Sequence, residues 1–533
     1  MPKRIASWLR RRRIEAELVP PALTIMFATF ASRVLGTVRE MLFASRFGAP
    51  PELDAYLAAF QLPDLITKLF VLGAFFSAFV PVFARLKDEG KEKEAWEVAD
   101  AITTLLMIIL VAASLLMIIF APLFVKMIVP GFDSQRFGFT VQLLRIMAFS
   151  PLLLGISTIL TAVLNSYHKF TASAYAPVMY NVGIIMGVLY FIPAFGMIWG
   201  LGMGVIFGAL LHIFTQLIPA LRIGYRWRRS LNLKLAGVRQ VIKLGIPRMV
   251  GMGASQVDMF IDVVLGSFLP IGSITLINYA NRLQLLPVGI FGLSIAQASF
   301  PFFVEKAAHH DMKGFSRVLF RNLKHIFYFA LPASAGLIIL RVEVVRLLYG
   351  QAGTLDWYAT NSVAFALALY SISIFAQCAI YILSRAFYAL QDTKTPLYAG
   401  LVGIGINAML SIVLVFTVHH FSMLALSYTT ATIVNMTVLF LLLYNKLGKL
   451  EMNSFLKQIF YILFATGCMA FVVWLMQMWL SSILDITRVR YLLLMTVACV
   501  GAGGMVYLAL TSMLRCVDIA WFKRIIHRGE MNE

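Results

Sequence analysis

The chain has 533 residues, 60% of them hydrophobic and 13% charged, with a formal net charge of +20 and a mean hydropathy of +0.84. This composition excludes a water-soluble globule, which could not cover so much apolar side chain with polar surface. The positive charge does not imply a nucleic-acid partner: the basic runs lack interleaved aromatic platforms, and Lys and Arg gathered in cytoplasmic loops account for it.

Residues 1–22 are expected to be a basic cytoplasmic segment containing Arg10-Arg11-Arg12-Arg13, compatible with contact to anionic headgroups. They do not read as a cleavable leader, because the apolar stretch that follows is too long and too polar for one. From there, hydropathy predicts about fourteen spans, a bilayer crossing taking about 20 helical residues. Six form an N-lobe over 23–221: Leu23–Phe47, Leu53–Phe83, Ala99–Val129, Gln142–Tyr167, Ala174–Phe195 and Met197–Leu221. After a cytoplasmic linker at 222–237, six more form a C-lobe over 238–446: Val238–Leu269, Ser273–Val304, Phe315–Leu340, Ser362–Leu390, Pro396–Val418 and Met423–Tyr444. Residues 447–514 hold a final pair, Phe455–Leu480 and Tyr491–Leu514, and 515–533 a cytoplasmic tail. The fold expected is an all-α polytopic membrane protein.

Alternate loops are basic. One side receives the N-terminal arginines, Arg85-Leu86-Lys87, His168-Lys169, the Arg222–Lys243 stretch, Lys306–Lys324, Lys394, Lys446–Lys449 and Lys523-Arg524, while the other receives mostly short turns. Both termini are therefore expected in the cytoplasm. An internal repeat also shows. Tyr56, Gln61-Leu62-Pro63 and the closing Phe79-Val80-Pro81 of the second span are echoed by Tyr279, Gln284-Leu285-Leu286-Pro287 and Phe300-Pro301 of the eighth. Tyr167 through Pro177 is likewise echoed by Tyr388 through Pro396. An offset of six spans makes the lobes parallel repeats, between which transporters commonly bind substrate.

Charges inside spans are costly, about 2.5–3.5 kcal/mol each near the bilayer centre, and usually face a bundle interior or cavity. The first span carries Arg33, Arg39, Glu40 and Arg46; the second, Asp54, Asp64 and Lys68; the eighth, Arg282. The excess of cations predicts an anionic substrate. Arg33 and Arg39 lie about 120° apart on a straight helix, and converge only if it bends, Gly36 being the place for it. The alternative for both is a buried pair with Glu40 or Asp54, and for Arg46 snorkelling to an interface. Lys68 either binds ligand or pairs with Asp64 one turn away. Asp258 and Asp262 in the seventh span either hold a cation or proton, or pair with Arg248 or the cavity arginines. The four cysteines have no paired spacing, the adjacent histidine pairs 309–310 and 419–420 do not converge on a metal, and no enzymatic constellation is present.

Ser32-Arg33-Val34-Leu35-Gly36 with Arg39, Phe47-Gly48-Ala49, Asp54-Ala55, Leu62-Pro63, Gly73-Ala74-Phe75 and Phe79-Val80-Pro81 together resemble the MurJ (MviN) family. So do Asn278-Tyr279-Ala280-Asn281-Arg282-Leu283 and Gln391-Asp392-Thr393-Lys394-Thr395-Pro396. The resemblance extends over essentially the whole chain. It implies the MOP exporter superfamily, with two six-helix lobes and an added helix pair suited to a polyprenyl tail. It implies a flippase moving lipid II, the undecaprenyl-pyrophosphate-linked peptidoglycan precursor, from the cytoplasmic to the periplasmic leaflet of the bacterial inner membrane. Arg33, Arg39, Asp54 and Arg282 fall at the family's functional positions, and Lys68 retains one cation where paired arginines are usual. Leu72 and Asn281 replace usual acids. Some members bind sodium; Asp262 and Asn407 are the nearest matches, with Ser411 in place of an expected carboxylate. No cofactor is otherwise expected, leaving sodium or proton coupling. Lipid II, membrane lipids and the cell-wall synthesis machinery are the partners implied. The competing readings are another MOP flippase or exporter of lipid-linked oligosaccharide, or a membrane glycosyltransferase for which only Glu343 and Asp356 offer an outer acid.

Overall fold

The computed structural model describes residues 2–254, 256–350, 354–447, 452–514 and 516, with side chains from Leu23 onward except at 72–74, 76–77, 247–248, 250–252 and 254. The side chains of Arg10 to Arg13, Leu72 and Arg248, residue Lys449 and the Lys523-Arg524 tail thus lie outside the described residues. Within them every regular element is a helix. Among the described residues nine helices are long and apolar enough to cross a bilayer, or eleven with each of two bent pairs taken as one span. The chain is a multi-pass membrane protein. The first, second and seventh expected spans are the three outside that count, and they are the charge-bearing or interrupted ones. An expectation of fourteen is compatible with this, since Pro2–Phe47, Pro51–Asp88 in three segments, and Ala236–Gly266 in two occupy those stretches.

The chain divides into two compact units, Met1–Ile274 and Thr275–Glu533. In the first, small residues let two helices touch backbone to backbone. A Cβ on Gly183 of Phe170–Met186 would stand 2.2 Å from the Cα of Gly208 on Met197–Arg222, and one on Gly187 2.6 Å from that of Gly204. Such approach replaces the hydrophobic drive that lipid does not supply. An aromatic ladder stacks Phe75, Phe79 and Phe83 one turn apart and passes to Trp96, centroids 4.9–5.3 Å apart. In the second unit the final pair, Met452–Ile483 and Val489–Met513, docks on Met312–Ile339. The Tyr507 hydroxyl donates to the Tyr328 carbonyl at 2.7 Å, and Gln477 donates to Glu343 at 2.7 Å.

The parallel pseudo-repeat is visible in the backbone. A π-helical stretch follows Pro63 (Thr67–Phe76) and another follows Pro287 (Val288–Leu293). Glu92–Ile119 and Met312–Ile339 are each 28 residues long and each is continued, after one break residue, by a short helix, Ala121–Ile128 and Arg341–Tyr349. Asp133 and Asp356 cap the next helix in each half. Left-handed residues fall in matching turns: Gly48 with Gly272, Gly90 with His310, His168 with Gln391, and Gly196 with His419.

One local expectation is corrected. Pro2–Phe47 is a single uninterrupted α-helix through Gly36. Nor does packing demand glycine at 36: a Cβ there would lie 3.9 Å from Asn181 Oδ1 on Phe170–Met186, an ordinary contact.

Candidate functional site

Among the described side chains of the first helix, Ala28, Glu40, Phe43 and Ala44 are buried, and they mark the face it packs with. Arg39 lies beside that face. Its guanidinium donates to Glu40 Oε1 at 2.6 Å and to Asn181 Oδ1 at 3.2 Å, while the Asn181 amide donates to the Ser32 carbonyl and hydroxyl and to the Pro177 carbonyl. Its buried Nε has no hydrogen-bond partner, nor does the buried hydroxyl of Tyr180, the residue before Asn181. The arginine is thus held at one edge and keeps a donor to spare.

Arg33 is exposed, on the side that carries Phe30 and Val34, and forms no ion pair among the described residues. With the helix unbroken, the structure does not bring Arg33 and Arg39 together. Lys68 is half-buried and doubly held, 2.7 Å from Asp64 Oδ2 and donating to Gln256 Oε1 at 2.7 Å. Asp54 is wholly buried. It accepts the Gly272 N–H at 2.7 Å and stands 3.9 Å from Arg136, which Asp133 grips at 2.6 Å and the Phe132 ring covers. Asp262 has a buried oxygen without a hydrogen-bond partner.

In the second unit Arg282 is exposed, and its Nε reaches Asn278 Oδ1 one turn back at 3.5 Å. Asn281 does not pair with it: its Oδ1 accepts from Gln284, whose own carbonyl oxygen accepts from Gln377, which also donates to Ser373. This buried network fixes the helix that carries Arg282. Asn407 and Ser411 are buried on Lys394–Val418, the Ser411 hydroxyl 3.4 Å from Asn407 Oδ1. The two outer acids are structurally engaged, Glu343 by Gln477 and Asp356 as a helix cap donated to by the Ala359 N–H.

Asn181, Gln256, Arg136 and the Gln284–Gln377 pair did not emerge from the sequence. Asn181 and Gln377 did carry a signal, being lone amides in strongly apolar stretches. Gln256 and Arg136 carried none, since their roles depend on which helices meet.

The family described as Lipid II flippase MurJ matches residues 43–493. The chain belongs to the MurJ family. A relative from Buchnera aphidicola subsp. Acyrthosiphon pisum, described as a probable lipid II flippase MurJ, is 30% identical over 453 residues, covering 84% of this chain and 88% of its own. A solved lipid II flippase MurJ in an inward closed conformation is 26% identical, with a TM-score of 0.76, covering 96% of this chain and all of that one. An inward-facing multidrug-resistance MATE transporter of the MOP superfamily is similar in fold at 14% identity, with a TM-score of 0.62 over 78% of this chain and 94% of that one. Of the departures from the MurJ pattern, Lys68 is tied to Asp64, and Asn281 is drawn into the glutamine network.

Proposed function

We propose that the chain translocates lipid II from the cytoplasmic to the periplasmic leaflet of the bacterial inner membrane, without covalent chemistry. Membership of the MurJ family over 43–493 carries this reading. The sign of the intramembrane charge supports it, because a pyrophosphate and an acidic stem peptide call for cations, and guanidinium offers paired donors to phosphate.

In this reading the lobes rock in alternating access, the headgroup is bound by Arg33, Arg39 and Arg282, and the prenyl tail stays in lipid along 447–514. The spare Nε of Arg39, and the guanidinium of Arg33 with no ion pair among the described residues, favour ligand contact. Lys68, Asp64 and Asp54 serve pairing or gating. Asp262, Asn407 and Ser411 are the candidates for a sodium or proton site. Both termini face the cytoplasm, on the side of the basic loops.

Cells depleted of their own flippase provide the test. Arg33→Ala and Arg282→Ala proteins are expected to reach the membrane at normal levels yet fail to restore growth. Full rescue by both would remove these residues from the site. Exposure of labelled lipid II in reconstituted vesicles, with ordinary phospholipid as control, tests the substrate.

A further inference from the structure

A concave basic surface of about 880 Å³ lies at one end of the second unit, between the first turns of Met312–Ile339 and the start of Met452–Ile483. Lys313, Arg317 and Arg321 succeed one another every four residues along one helix stripe, and Lys324 follows on the next turn. None of the first three forms an ion pair among the described residues. The nearest acid in sequence, Asp311, accepts the Gly314 N–H at 2.8 Å and pairs with Lys306, and reaches Arg317 only through longer-range attraction. The opposite wall supplies neutral hydrogen-bonding groups, Ser454 and Gln458, and the base is apolar, Phe320 against Phe455 at 4.8 Å between centroids.

Positive loops on the cytoplasmic side explain why basic residues occur here. They do not explain a single stripe of cations turned into one cavity, with no carboxylate among its described lining residues and faced by hydroxyl and amide groups. An anion seated among Lys313, Arg317 and Arg321 would relieve their mutual repulsion beyond what solvent screening does. Guanidinium pairs bind the oxygens of phosphate in parallel, and basic pockets between spanning helices suit lipid head groups. We infer that this cavity binds a phosphate-bearing anion, whose two sources are the head group of an acidic phospholipid and soluble phosphate. The site is separate from Arg33, Arg39 and Arg282 and does not depend on the transport reading.

The test uses the full chain in detergent, with bound phosphatidylglycerol or phosphatidylcholine counted by native mass spectrometry, and with inorganic phosphate as competitor. Each cation at such a surface is worth about five-fold in affinity, so the double variant Arg317→Gln, Arg321→Gln should bind phosphatidylglycerol about twenty-five-fold more weakly. Lys234→Gln, outside the cavity, should change nothing. Ser454→Trp, which leaves every charge in place and fills the cavity, should also weaken binding and covers the case in which the double variant does not fold. Loss of phosphatidylglycerol that phosphate fails to displace identifies the lipid as ligand. Displacement by millimolar phosphate, abolished in the variants, identifies the soluble anion. Equal binding of both probes to wild type and variants overturns the site.

Discussion

Asp54 and Arg136 put opposite charges where water does not reach, at 0% and 8% side-chain exposure. Removing one member of such a pair costs about 3–5 kcal/mol, because the other stays buried. Arg136→Ala should therefore lower the melting temperature of the detergent-solubilised protein sharply, and an unchanged melt would show the pair to be dispensable. Asp392 is a milder case outside the membrane. The Lys446 ammonium at 2.9 Å, then the Thr395 N–H and hydroxyl, hold its carboxyl down at about 2, against an ordinary 3.8. A depressed folded value stabilises above the ordinary one and is lost as pH falls from about 4 towards 2. Melting followed across that window should be less pH-dependent in Asp392→Asn, by a small margin because the pair is partly open to solvent. The charges themselves were legible in the sequence, since ionised groups in apolar runs announce themselves. Their partners were not: Lys68 choosing both Asp64 and Gln256, or Asp54 taking a backbone N–H some 218 positions away, follows from helix packing.

Phe170–Met186 and Met197–Arg222 meet through glycine, and a side chain has nowhere to go. Gly208→Leu should cost at least about 1–3 kcal/mol by overpacking, seen as lost folded protein in size-exclusion profiles, whereas Gly400→Ala, with no heavy atom within 4 Å of the added Cβ, should be silent. The small-residue spacings 200–204–208 and 183–187 both stand in the sequence, although the meeting of these two surfaces does not. The helix ends tell a similar story. Spans were legible from hydropathy, but the π stretches after Pro63 and Pro287 were not, because a π turn is set by hydrogen-bond register rather than by composition. The bend expected at Gly36 failed for a related reason. Glycine permits a bend without requiring one, and here the helix runs uninterrupted through it.

At the scale of the molecule, the basic loops predict an orientation that labelling can read. In a background without native cysteine, a cysteine at Lys234 should react with an impermeant maleimide only from the cytoplasmic side, and one at Asp485 only from outside. The reverse pattern would invert the topology. The repeat was half legible in the sequence, through proline and tyrosine motifs, and its strongest expression is conformational: four pairs of left-handed turns at equivalent places. That correspondence amounts to an internal alignment of the protein against itself. Where one copy keeps glycine and the other histidine, as at Gly90 and His310, the first shows the residue that the second's turn accepts without strain. His310→Gly and His419→Gly are thus candidate repairs drawn from the chain's own duplicate. Arg282 has no such counterpart: no cation stands at the equivalent place beside Pro63, where Ala58 and Ala59 are. The two halves thus share their turns and π stretches while differing at this charge, two copies of one scaffold with different things to hold.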